Sequence, residues 1–134
     1  MTPSRVPARR RQPLRIMIVD DESMVGKELK PALSGDGDIV ETFESGEAAL
    51  ASFDREPYDV VVTDIRMGEV DGLEVLERIL ARSKQTKVII MSRYATVEMA
   101  REAFSKGAFD MVVKPFSPQY LRDIIERAVE QVSE

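Results

Sequence analysis

At four places in this chain, chemically capable side chains stand directly behind an apolar run. In "IMIVDDES", residues 16–23, a greasy stretch ends in Asp20, Asp21 and Glu22. Asp64 closes "YDVVVTD" (58–64), Ser92 closes "KVIIMS" (87–92), and Lys114 follows "DMVV" (110–113). Carboxylates packed side by side repel one another, by about 1–4 kcal/mol per contact at intermediate dielectric. A divalent cation removes that cost. Few ligands, all oxygen, suit Mg²⁺, which prefers octahedral geometry and keeps several waters. Such a site also suits a phosphoryl group, with Lys114 as fixed positive charge and Ser92 as hydroxyl donor. A carboxylate among these groups can attack phosphorus and become an acyl phosphate. Asp64, the single acid at the end of its strand, is the candidate nucleophile.

Composition removes the competing chemistries. The 134 residues include no cysteine and no histidine. That excludes disulfides, thiolate zinc sites, Ser-His-Asp triads and histidine-bound metals. Apolar residues make up 43% and charged residues 32%, an ordinary balance for one soluble domain of this length. No run approaches the ~18 apolar residues of a membrane span, and nothing reads as a signal peptide. The cytoplasm is the expected compartment. The net charge of −5 is unevenly spread, because "MTPSRVPARRRQP" holds Arg5, Arg9, Arg10 and Arg11 and no acid. Residues 1–13 read as a disordered basic tail, a solubilising leader in preference to a nucleic-acid or membrane-surface arm. The acidic remainder, 14–134, argues against nucleic-acid binding by the domain itself.

Hydrophobic periodicity then supplies the elements that must position these groups. The chain alternates from "LRIMIV" (14–19) onward. A helix follows with Val25, Leu29, Ala32 and Leu33 on one face, blemished by Pro31. "IVETF" (39–43) alternates as a strand with one wet side, and Ser45 opens a helix through Phe53. After Asp64, Asp71 caps a helix with Leu73, Leu76, Ile79 and Leu80 as its core stripe. Ala95, Met99, Ala103 and Phe104 line the next, which Gly107 ends. Ser117 and Pro118 start the last, with Leu121, Ile124, Ile125, Ala128, Val129 and Val132 at helical spacing. Five strand–helix units with continuous apolar strands imply a parallel α/β sheet covered on both faces by right-handed crossovers. Ligands sit at the carboxyl edge of such sheets. In strand order 2-1-3-4-5, Asp20, Asp21, Asp64, Ser92 and Lys114 converge on one crevice. Taken singly, an acid pair is a helix cap, Ser92 a loop hydroxyl and Lys114 a surface lysine; convergence overturns those readings.

"VDDES", "VVTDIRMGEVDGLEVL", "IIMSRYAT" and "DMVVKPFS", in this order and each at a strand's end, resemble the receiver domain of bacterial two-component response regulators. The likeness runs from residue 14 to the C-terminus. It implies a flavodoxin-like (βα)5 fold and a phosphoryl group accepted on Asp64 from a sensor histidine kinase. It further implies Mg²⁺ on Asp20, Asp21, Asp64 and the backbone carbonyl of Arg66, with Ser92 as switch hydroxyl, Lys114 as the salt-bridging lysine, and a cis Lys114–Pro115 bond. The signalling surface would be the fourth helix, fifth strand and fifth helix, which would bind an output domain or effector, or form a homodimer. "ATVEMAREAFSKGAFD" resembles receivers fused to enhancer-binding activators, so a longer regulator and a single-domain one both stay open.

The departures from the family pattern are specific. Met111 stands where receivers carry an aromatic switch residue, and a flexible thioether is a poorer two-state reporter than a ring. Tyr94 is a partial substitute. Arg93 follows Ser92 where a very small residue is usual; a guanidinium there would screen the site or bind the phosphoryl group. Gly68 replaces a common proline. Met111 and Arg93 favour an alternative reading, a phosphorylation-independent interaction module with atypical switching. An aspartate-dependent phosphatase ranks last, because it needs an acid where Arg66 stands. The chain is therefore expected to catalyse only its own phosphorylation and dephosphorylation.

Overall fold

The computed structural model describes residues 13–132, side chains at 36, 131 and 132 aside. The expected basic tail thus lies outside the described residues, apart from exposed Pro13, as does the side chain of Val132. Five strands and five helices alternate: β1 (Arg15–Val19), α1 (Ser23–Leu33), β2 (Ile39–Phe43), α2 (Gly46–Arg55), β3 (Val60–Asp64), α3 (Gly72–Arg82), β4 (Lys87–Ser92), α4 (Val97–Ser105), β5 (Asp110–Val113) and α5 (Pro118–Val132). The strands pair in parallel in the order β2-β1-β3-β4-β5, as expected.

Side chains alternate across the sheet with the period of two that strand geometry dictates. On one face Met17, Val19, Val61, Val88 and Ile90 pack with Phe53, Leu76 and Ile79 from α2 and α3. On the other, Ile16, Ile18, Val62, Ile89 and Met91 meet Leu29 and Leu33 of α1 and Leu121, Ile124 and Ile125 of α5. Both faces being covered, the three inner strands must be apolar between their ends, and every residue of β3 is buried. Register then places the strand ends at one level, with Val19 opposite Thr63, Asp64 opposite Met91 and Ser92 opposite Val113.

Helix ends follow local chemistry. Ser45, Asp71 and Thr96 accept hydrogen bonds from the backbone N–H groups of Ala48, Glu74 and Met99, and the Ser117 hydroxyl accepts from Tyr120 N. Gly107, at φ +105°, ends α4 in the left-handed conformation. Pro31 falls in the last turn of α1, and the Arg122 guanidinium donates to the Ala32 carbonyl there at 2.6 Å. Two expectations need correction. Ala95 precedes α4 and is exposed, because Thr96 caps the helix and starts it at Val97. Phe104 of the same stripe is 48% exposed, so Ala103 alone of that helix is buried. β2 has the wet side expected of it, with Ile39 exposed and Val40 buried, the pattern of an edge strand covered on one side.

Gly72, at the start of α3, is packed against the strand end that carries Asp64. A Cβ there would lie 2.8 Å from the Ile65 Cα and closer still to the Asp64 carbonyl oxygen. Gly68, in the same loop, has open space around it. Gly72→Ala is therefore expected to cost about 1–3 kcal/mol in urea unfolding, as overpacking against immovable backbone does. Gly68→Ala should stay within about 0.5 kcal/mol of the parent.

Candidate functional site

The carboxyl edge gathers the singled-out residues. Asp20, Asp21 and Asp64 each present a carboxylate oxygen within 4.8 Å of the others, with Asp20 and Asp64 buried and Asp21 exposed. Each is held from a different direction. Asp20 follows β1, and one of its oxygens accepts the Glu22 backbone N–H at 2.9 Å. Its other oxygen takes the Lys114 ammonium at 2.6 Å. The same ammonium lies 3.1 Å from Asp64 Oδ1 and 3.5 Å from Glu22 Oε1. Lys114 comes from the far side of the crevice, after β5, where its backbone N–H donates to the Ser92 carbonyl at 2.8 Å and its bond to Pro115 is cis. One cation thus serves three carboxylates from a nearly buried position.

Burial raises the pKa of Asp64, and the charges of Asp20 and Asp21 push the same way against the Lys114 hydrogen bond that opposes them. For Lys114, burial lowers the pKa, but hydrogen bonds and charge from Asp20 and Asp64 outweigh it, and the net direction is up. The ammonium therefore stays charged well above neutrality, while burial, helped by Asp20 and Asp21, leaves the Asp64 charge incompletely offset by it. All-oxygen donors around an under-neutralised carboxylate fit a small hard dication.

The expected accessory residues divide. Ser92 is buried; its hydroxyl accepts from Tyr94 N at 3.2 Å and contacts the Met99 sulfur at 3.9 Å. Tyr94 itself is 69% exposed, pointing its bulk away from the core. Met111 is partly buried against the α3-side cluster, as Met67 and Met99 also are. Arg66 stands two residues beyond Asp64 in the loop to α3 and is exposed. The third acid of the opening run, to which no metal role was assigned, has a partner of its own. Glu22 does not join the metal-sized cluster; both its oxygens meet Arg93 Nη2, at 2.9 and 3.0 Å. Sequence reasoning singled out Arg93 but missed this partner. The available signal was a pair of complementary oddities, an extra acid after Asp21 and an arginine where a small residue is usual.

A family model described as the response regulator receiver domain matches residues 16–126. The chain belongs to this family. It is a receiver of two-component signalling, and receivers as a class hold Mg²⁺ at an acidic cluster and work with histidine kinases and output domains. The receiver is 42% identical over 116 residues to the regulatory protein AtoC of Escherichia coli K12, across 87% of this chain and 25% of AtoC. It is 35% identical to the chemotaxis protein CheY of Listeria monocytogenes, across 86% of this chain and 98% of that one. The beryllofluoride-activated NtrC4 receiver domain dimer superposes with a TM-score of 0.83 at 28% identity, covering 88% of this chain and 98% of its own. The receiver spans about a quarter of AtoC's length and nearly all of CheY's. Among the described residues no helix is long and apolar enough to cross a membrane.

Because the folded state raises the pKa of Asp64, its ionised form costs stability. That cost is absent below the ordinary aspartate pKa and grows as pH rises through the folded value. In magnesium-free buffer, Asp64→Asn should melt above the parent at pH 7. The gap should close as pH is lowered towards 3.

Proposed function

We propose that Asp64 is the phospho-acceptor of this receiver, supplied by a sensor histidine kinase. The observation that carries this reading is a buried strand-end carboxylate with an ammonium 3.1 Å away and two further acids around it. In the transfer step an Asp64 oxygen attacks phosphorus, an O–P bond forms, and the P–N bond to the kinase histidine breaks with its electrons leaving on the imidazole. With an acyl phosphate, the bond to the acyl oxygen breaks instead. Asp20, Asp21, Asp64 and the Arg66 carbonyl would hold Mg²⁺, which supplies charge neutralisation for the incoming phosphate. Lys114 holds a positive charge against the acceptor oxygen, and Ser92 offers its hydroxyl to a phosphoryl oxygen. Asp64 acts on its own phosphorylation, and the chain turns over no separate substrate.

The output surface in this proposal is α4, β5 and α5. Val97, Val113 and Tyr120 are large apolar residues exposed there, at 71%, 50% and 51%. A second copy, an output domain or an effector would bind it; the NtrC4 relative, whose activated receiver is a dimer, supports pairing with a second copy. Phosphorylation adds about −1.5 to −2 charges, and Ser92 and Lys114 would be drawn towards them. Moving a surface from 1:99 to 99:1 takes about 5.5 kcal/mol of differential stabilisation. Met111 offers no ring to latch the new state.

Two measurements test the proposal. Incubated with Mg²⁺ and a small acyl phosphate, the parent should gain one phosphoryl mass and Asp64→Asn none. A parent that gains nothing, but binds its partner regardless, favours the phosphorylation-independent module. Partner affinity should rise on phosphorylation by well under a hundredfold; a gain of several hundredfold would show that Met111 does not weaken the switch.

A further inference from the structure

Strand order gives the Glu22–Arg93 pair its significance. Glu22 follows β1 and Arg93 follows β4, and these strands are not neighbours; β3 lies between them. A side-chain bridge from one to the other must span the carboxyl end of β3, which is where Asp64 stands. Lys114 fixes the height of the crossing, since one ammonium touches Glu22 at 3.5 Å and Asp64 at 3.1 Å. The result is a line of alternating charge, Arg93, Glu22, Lys114, Asp64, laid across the mouth of the crevice. Asp64 beneath it is only 8% exposed.

We propose that the Glu22–Arg93 ion pair is a strap over Asp64 that restricts which phosphodonors reach it. This rests on Asp64 being the acceptor and adds a selectivity device to that site. The strap is half exposed at both ends, 52% for Arg93 and 50% for Glu22, so water and salt weaken it and it opens readily. A small anionic donor arriving from solvent meets it closed more often than open. A protein donor differs, because it can pair with Arg93 or Glu22 as it docks and part the strap by exchange. The groove beside the strap, between Val25 of α1 and Phe116 and Pro118 before and at the start of α5, gives such a partner purchase. Arg93 is thus a selectivity residue that acts through Glu22.

The test uses the full chain with Mg²⁺ and acetyl phosphate, following the phosphoryl mass over time. Arg93→Met keeps bulk and removes the charge; Glu22→Gln keeps shape and removes the opposite charge. Both should label about two- to fivefold faster than the parent, the range an exposed ion pair commands. Raising salt should shrink that advantage, because screening opens the strap of the parent. Equal rates in parent and variants overturn the strap but leave Asp64 as acceptor. Slower labelling of Arg93→Met also overturns it, and shows a guanidinium that recruits the donor. If neither the parent nor either variant labels, the acceptor reading fails and the strap with it.

Discussion

A single ammonium set among carboxylates is the constraint around which this molecule is arranged. Asp20, Asp21 and Asp64 would repel each other if left alone, and Lys114 is the only cation the fold sends in among them from the described residues. Its presence requires β5 to end beside β4 and the chain to turn at once through Pro115. The requirement on the acids is stricter, since each must leave its strand at the same level. Parallel register supplies that: three adjacent strands end together, and no antiparallel hairpin would put their carboxyl ends on one side. The two apolar layers exist to hold that edge level. Partial neutralisation leaves the site strained in charge but not in shape, which is the state in which a second cation and an anion bind together favourably.

The plan of the sheet was legible because it depends on signals within one strand or helix. Continuous apolar runs such as "VVVTD" mark inner strands, and the crossover rule turns their sequence into an order. The cap residues Ser45, Asp71 and Ser117 were equally local. Where a charged partner was missed, the deciding contact was distant. Glu22 and Arg93 are 71 positions apart, and neither charge points to its partner from composition. Ala95 was misplaced because helical spacing continues through it, and only the competition won by the Thr96 hydroxyl moves the helix start. Among the receiver's working groups, then, positions along strands were readable and the partners of flexible charged side chains were not.

The opposite end of the sheet escaped notice altogether. Tyr58, buried just before β3, donates its hydroxyl to Glu41 of β2 and shares a hydrogen bond with Ser52 of α2 at 2.9 Å. The Arg15 guanidinium lies over its ring, 4.3 Å from the centroid. Burial and the Glu41 contact raise the phenol's pKa, so it stays a neutral donor. This network ties the edge strand to a helix and to β1 at the end remote from the acids. Being polar yet satisfied, it adds little net energy, but it fixes how β2 sits and hence where β1 delivers Asp20.

The contact between Ser92 and Met99 bears on how news of the acidic crevice would travel. A thioether is a feeble acceptor, and at 3.9 Å the hydroxyl is barely engaged with it. Any better oxygen arriving nearby takes that proton almost without opposition. Met99 sits in the first turn of α4, next to the cap that starts it. Losing its serine neighbour would free the thioether to repack, and the front of α4 would feel the change before any other helix.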